Sequence, residues 1–195
     1  MHRGLEMPDG DILIHAGDMT EHGTLSGVRA FNQWLGEFPH THKIVIAGNH
    51  DFCFEDTPEE AKALLTNACY LQEESVALEG LKFYGSPWTP KFSDWAFMRQ
   101  PGPEMGAVWE NIPPDTDVLI THGPPRGIRD LTEAGEHAGC ADLLEAVAQI
   151  APRVHIFGHI HEGRGIEREN GAIFVNGCSI SVNYRQLFAP FVIEV

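Results

Sequence analysis

A chain of 195 residues with 43% hydrophobic and 21% charged content has the composition of a soluble globular protein with room for one sizeable core, and we expect a single domain over residues 1–195. Its 13 basic and 28 acidic residues give a formal net charge of -15, which disfavours nucleic-acid polymers and anionic membranes, since both are bound through Lys and Arg. The expected partner is therefore a small molecule, and composition leaves the oligomeric state open.

The four cysteines, Cys53, Cys69, Cys140 and Cys178, form no C-x-x-C pair, the first residues lack the pattern of a signal sequence, so none is expected, and there is no membrane-length apolar run among the 195 residues. A reduced, cytoplasmic protein with four small buried thiols is expected.

Residues 1–10 are polar and end on the turn signals Pro8-Asp9-Gly10. A first strand, Asp11 to Ala16, closes on Gly17-Asp18, and Val28, Phe31, Trp34, Leu35 and Phe38 then recur at the spacing of one helix face, with Pro39 ending it. The strand Lys43 to Ala47 leads into Gly48-Asn49-His50-Asp51. Thr57, Pro58 and Glu60 predict a capped helix start. From Val76 to Gly85 the alternation predicts a hairpin of half-exposed strands. The segment from Ser86 to Met105, rich in Pro, Gly and aromatics, has neither period and reads as an ordered loop, which either lines a site or plugs the core edge.

The α/β rhythm resumes with strand Asp117 to Thr121, helix Ala141 to Ile150 and strand Arg153 to Phe157. Asn170-Gly171 predicts a two-residue hairpin turn, and Phe191 to Val195 a last strand.

Four aliphatic strands thus end on Asp18, on Asn49-His50, on His122, and on His159 and His161. Continuous apolar runs are expected of parallel strands buried on both faces, and ligands gather beyond the carboxyl ends of such strands. Carboxylate, amide oxygen and imidazole together suit Mn, Fe or Zn better than the all-oxygen cage of Ca. His15 and His155, inside apolar strands, read as neutral hydrogen-bonded imidazoles, and His40, His42 and His137 as residues in polar surroundings.

Gly17-Asp18, Gly48-Asn49-His50-Asp51, Thr121-His122-Gly123 and Gly158-His159-Ile160-His161 match, in order, four of the five motifs of the calcineurin-like metallophosphoesterases, which this chain resembles. Gly85-Ser86-Pro87-Trp88, Trp95-Ala96-Phe97 and the Pro124-Pro125 pair are similar to a branch grouped with class III cyclic nucleotide phosphodiesterases. The resemblance implies a four-layer α/β/β/α sandwich. It makes Asp18 a carboxylate bridging two metals, with Asn49, His122 and His159 completing one and His161 belonging to the other.

A pair of cations held about 3.5–4 Å apart acidifies a bridging water and clamps both oxygens of an in-line displacement at phosphorus. His50, adjacent to a ligand, then contacts the phosphate and stabilises or protonates the leaving oxygen; Asp51 or Glu21 either orients it or is a surface or helix-start carboxylate, the reading we favour for Glu21. Asn49, His50 and Arg126 are the substrate-binding candidates, although Arg126 also reads as a solvated side chain.

The fifth motif, D-x-H on a strand before Asp11, has no counterpart. The expectation is that the chain starts at an internal methionine, or else lacks the usual first strand and the ligands completing one metal site; His2 or His22 would substitute, or are simply exposed. The expected function is hydrolysis of small phosphodiesters, cyclic nucleotides among them, with one tight metal and a second weak one. The alternative is a degenerate metal- or nucleotide-binding protein with weak or no hydrolysis.

Overall fold

Side chains alternate between the two faces of a strand, so a strand buried on both sides is expected to be largely apolar and to feed two cores. The computed structural model, which describes residues 4–195, shows this in both halves of the chain. The first half holds β1 (Ile12–Ala16), α1 (Leu25–Leu35), β2 (His42–Ile46), the short helices α2 (Cys53–Asp56) and α3 (Pro58–Ala63), and β3 (Cys69–Tyr70). β1, β2 and β3 pair in parallel in that order.

The second half supplies β4 (Glu74–Leu78), β5 (Leu81–Ser86), the short pair β6 (Thr89–Pro90) and β7 (Met98–Arg99), α4 (Pro103–Trp109), and β8 (Val118–Thr121). It continues with α5 (Ala141–Ile150), β9 (Val154–Phe157), one 3-10 turn (His161–Gly163), β10 (Gly165–Glu169) and β11 (Ala172–Asn176). Six of these strands form a sheet in the order β10-β11-β9-β8-β5-β4. Its four inner strands are parallel, and a hairpin partner closes each side.

Ile44 and Ile46 of β2 pack with Phe83, Val118, Ile120, Val154 and Val175 in a core between the two sheets, while Val45 joins Phe31, Trp34 and Leu35 of α1 on the other face. Likewise Leu119 and Phe157 join Met105 and Trp109 of α4 and Leu143 and Val147 of α5. The layers therefore run helix, sheet, sheet, helix, as the resemblance implied. Among the described residues no helix is long and apolar enough to cross a membrane.

Several local expectations need correction. Thr57 precedes α3 with Pro58 at its first position, but its hydroxyl donates back to Cys53 O at 3.2 Å instead of capping the helix. The hairpin forms, yet β5 is mostly buried because it pairs with β8 in the sheet interior. Within the aromatic segment the structure places β6, β7 and the start of α4, for which Pro103 occupies the first turn. Phe191 to Val195 forms no strand and is largely exposed. Cys69 is exposed, unlike the other three thiols, and all four are free.

His155 is fully buried, with Nε2 2.8 Å from Thr121 Oγ1, and burial depresses its pKa from 6.5 to about 3. The unfolded chain takes up this proton near pH 6.5 while the folded chain refuses it, so stability is fully present above about pH 6.5 and is lost as pH falls toward 3. Two pH units below the unfolded value the loss from this one group is about 2–3 kcal/mol. His155→Gln, which keeps a hydrogen bond to Thr121 without titrating, is expected to flatten the difference in urea midpoint between pH 7 and pH 4.5. An unaltered difference would show that acid lability comes from elsewhere.

Candidate metal centre

The carboxyl ends of strands from both sheets converge on one spot. Asp18 follows β1, Asn49 and His50 follow β2, His122 follows β8, and His159 follows β9. One possible ligand atom from each of Asp18, His122 and His159 lies within 4.8 Å of the others. His122 Nε2 is 3.4 Å from Asp18 Oδ2 and 2.9 Å from Asn49 Oδ1. These are the four residues that the motifs assigned to one metal.

The backbone is bent to bring them together. Asp18 and His159 both hold left-handed conformations, at φ 58 and 67, which non-glycine residues avoid and which tend to occur at functional sites. The turn before Asp18 needs glycine outright: a Cβ on Gly17, at φ 97, would sit 2.5 Å from His122 Nδ1 and 2.7 Å from Ala47 O. Gly48 admits no side chain either, because its Cβ would lie 2.5 Å from Asp18 N. Both glycines let two strand ends approach closely enough to share ligands.

Electrostatics prepare the cluster for a cation. Burial raises the Asp18 pKa, but the charge and hydrogen bond of His122 and the His50 amide outweigh it, holding the carboxyl well below its usual range. Burial also opposes charge on His122, yet Asp18 and the Ala16 carbonyl prevail and shift that pKa upward. His159 goes the other way, down to about 3, through burial first and then the nearby His122 charge. Its imidazole is therefore neutral and has a lone pair to give.

His122 Nδ1 is 2.8 Å from Ala16 O, which makes Nδ1 the donor and aims Nε2 at Asp18 and Asn49. A carboxylate, an amide oxygen and an imidazole nitrogen pointing at one another repel unless a proton or a cation lies between them. That donor set fits a divalent transition metal.

The remaining candidates divide. His50 donates its backbone N–H to Asp18 Oδ1 at 2.9 Å, and its ring lies outside the three-residue cluster, 4.5 Å from the Trp95 ring. Neither Asp51 nor the Glu21 carboxylate orients that ring. Its Nδ1 meets the backbone carbonyl of Glu21 at 3.0 Å. Asp51, fully buried, instead accepts from Gly48 N, Met19 N, Thr20 N and Thr20 Oγ1, which ties the loop carrying Asp18 to the loop carrying Asn49. Burial and the neighbouring Asp18 charge push its pKa up to about 6.

His161 stands apart from the cluster, with Nδ1 3.3 Å from Ser181 O and its ring 5.3 Å from that of Tyr184. His22 is 80% exposed beside Glu21, and His2 lies outside the described residues. Arg126 is exposed and donates to His137 O at 3.2 Å.

Three neighbours of the site were not singled out from sequence as site residues: Phe92, whose ring is 5.4 Å from His159, Trp95 beside His50, and Tyr184 beside His161. The first two lie in the aromatic segment for which the sequence left two readings open, lining a site or plugging the core edge, and their contacts favour the first. Nothing in the pattern around Tyr184 marks it.

A helix-sheet-sheet-helix sandwich that gathers Asp, Asn and His at the ends of both sheets defines a class of phosphoesterase, and this chain belongs to it. The calcineurin-like phosphoesterase family model matches residues 1–163, and membership implies use of a divalent metal. The chain is 40% identical over 216 residues to the human and mouse proteins named metallophosphoesterase domain-containing protein 1, covering 98% of this chain and 66% of theirs. It is 25% identical over 172 residues to a Synechococcus protein named a probable cyclic nucleotide phosphodiesterase, covering 83% of this chain and 64% of that one. One solved crystal structure shares the fold with a TM-score of 0.64 at 23% identity, covering 79% of this chain and 63% of its own.

Proposed function

We propose that the protein is a metal-dependent phosphoesterase of small phosphodiesters, cyclic nucleotides among the candidates. The observation that carries this reading is the cluster itself: one possible ligand atom from each of Asp18, His122 and His159 within 4.8 Å of the others, with Asn49 Oδ1 2.9 Å from His122 Nε2. In it Asp18, Asn49, His122 and His159 hold one metal, Mn, Fe or Zn, and Asp18 with His161 hold a second more weakly. A divalent metal bound there supplies Lewis acidity toward a phosphoryl oxygen and acidifies a water.

The rest belongs to the protein. Asn49 and His50 contact the phosphate, and His50, fixed between Trp95 and the Glu21 carbonyl, stabilises or protonates the leaving oxygen. Phe92 and Trp95, exposed beside the cluster, favour a flat or apolar ester group over a polymer, in keeping with the net charge of -15. The four free cysteines support a cytoplasmic setting.

Chelated protein given Mn is expected to hydrolyse bis(4-nitrophenyl) phosphate faster than 4-nitrophenyl phosphate. No hydrolysis of either with Mn, Fe or Zn would defeat the reading, and the reverse order would defeat its diester part. A ligand count also predicts the metal stoichiometry: one ion retained through dialysis, and a second taken up only at high concentration with a further rise in rate. Two ions retained through dialysis would show that the second site is not weak.

A further inference from the structure

A cleft of about 520 Å³ opens beside the metal-facing residues, starting at His159 and Ile160 and running between Thr89–Phe92 and the loop that follows His122. That loop is a closed excursion. Cys140 N donates to Pro124 O and Arg126 N to Cys140 O, both at 2.9 Å, so the chain returns to its own base. Asp130, fully buried, locks it from inside by accepting from Gly127 N and Gly139 N at 2.9 Å each.

His137 Nδ1 lies 2.6 Å from the same Asp130 carboxylate. The carboxylate can only accept, so Nδ1 is the donor, and the imidazole is oriented with Nε2 left for the cleft that His137 lines. Arg126 is drawn to the same wall by its hydrogen bond to His137 O at 3.2 Å. Cys140, which caps α5, and Ala141 and Asp142 of its first turn line it too, and a helix N-terminus adds partial positive charge.

Of the neighbouring acids, Asp94 lies 3.3 Å from Lys91 Nζ, while Asp142 lines the cleft and accepts from Gly102 N at 3.0 Å, so its carboxylate partly offsets the Arg126 charge. On the opposite wall Thr89 is 1% exposed, and its hydroxyl has no hydrogen-bond partner among the described residues. Phe92, 59% exposed, stands at the mouth next to His159. In a chain of net charge -15 this cleft brings a guanidinium and an imidazole together beside an exposed aromatic ring.

We propose that this cleft is the leaving-group subsite and that Arg126 and His137, the latter positioned by Asp130, select esters whose leaving group is a ring carrying its own anionic substituent. The ring rests against Phe92, and the substituent meets the guanidinium and imidazole. The assignment rests on the phosphodiester reading above, so its test carries one arm that needs no turnover.

The first arm compares methyl 4-nitrophenyl phosphate with methyl 3-carboxy-4-nitrophenyl phosphate on Mn-loaded protein. The second measures equilibrium binding of the two matching phenols, 4-nitrophenol and 5-hydroxy-2-nitrobenzoate, to protein without added metal. Wild type is expected to prefer the carboxylated member by about tenfold in kcat/KM and in Kd, the size of one charge-assisted hydrogen bond. Arg126→Ala and His137→Ala should each bring both ratios toward one, and Arg126→Lys should keep part of the preference. Both side chains are exposed, and without His137 the Asp130 carboxylate still accepts from Gly127 N and Gly139 N, so these variants are expected to fold.

Ratios near one in wild type, or ratios preserved in the double variant Arg126→Ala/His137→Ala, would overturn the subsite. Selective binding of the carboxylated phenol with no turnover of either ester would support the anion subsite and defeat the phosphodiester reading. Turnover of both esters with no preference in either arm would do the opposite.

Discussion

Asp18→Asn is expected to lower diester turnover by about a thousandfold and to strip the tightly held metal while leaving the fold intact. The variant keeps the shape of the side chain and one acceptor oxygen, so the contact with His50 N, now 2.9 Å from Oδ1, can survive. It removes the negative charge that both proposed metal positions share. Loss of several kcal/mol of metal-derived stabilisation, at 1.36 kcal/mol per decade, corresponds to about 10³ in rate.

His122→Ala should likewise reduce metal content, because it deletes a buried candidate ligand whose Nδ1 is anchored on Ala16 O. His50→Ala is the contrasting case. Its ring lies outside the cluster, against Trp95 and the Glu21 carbonyl, so metal content should be unchanged while turnover falls by about 10², at the low end for a general acid. Metal analysis after dialysis, read beside kcat for the three variants, separates the roles. Wild-type metal content in both Asp18→Asn and His122→Ala would sink the ligand assignment, and full activity in His50→Ala would remove its role at the leaving oxygen.

The candidate ligands were legible because each stands at the end of a strand whose composition announces it. A parallel strand buried on both faces is a near-continuous run of Ile, Val and Leu, so the cluster of polar residues that stops the run is conspicuous. The runs ending at Asp18, Asn49, His122 and His159 could therefore be linked before any contact was known, although His122 and Asn49 are 73 residues apart. What stayed hidden depends on neighbours distant in the chain. β5 reads as half-exposed in isolation, and only its pairing with β8 buries it. Phe191 to Val195 has strand composition but no partner strand among the described residues, and without one its propensity decides nothing. The aromatic segment carries no period, so its contacts of Phe92 with His159 and Trp95 with His50 could not be assigned residue by residue.

Asp51 is the instructive case, because sequence placed it beside His50 as a candidate orienter and the structure gives it a different task. Its Oδ2 receives Gly48 N at 2.9 Å and Met19 N at 3.2 Å, and its Oδ1 receives Thr20 N at 2.9 Å and Thr20 Oγ1 at 2.7 Å. One buried carboxylate thus fixes the turn after β1 against the turn after β2, which sets the spacing between Asp18 and Asn49. Asp51→Ala leaves three amides and a hydroxyl without their acceptor. A buried donor stripped of its partner costs about 1–3 kcal/mol, and with partial relaxation and water entry we expect a total of roughly 3–5 kcal/mol.

For a chain of this length that corresponds to a fall in Tm of about 10 °C or more. Asp51→Asn should not rescue it. Whichever way the amide is turned, its NH2 faces donors that the carboxylate oxygen had accepted. Asp51→Glu keeps the charge but lengthens the arm, and it should recover part of the stability with metal affinity still reduced, because the two turns would be held at the wrong separation. Thermal unfolding and metal titration of the three variants test this. A Tm within about 2 °C of wild type in Asp51→Ala, less than the loss of a single buried acceptor should produce, would show that the two turns hold their spacing without it.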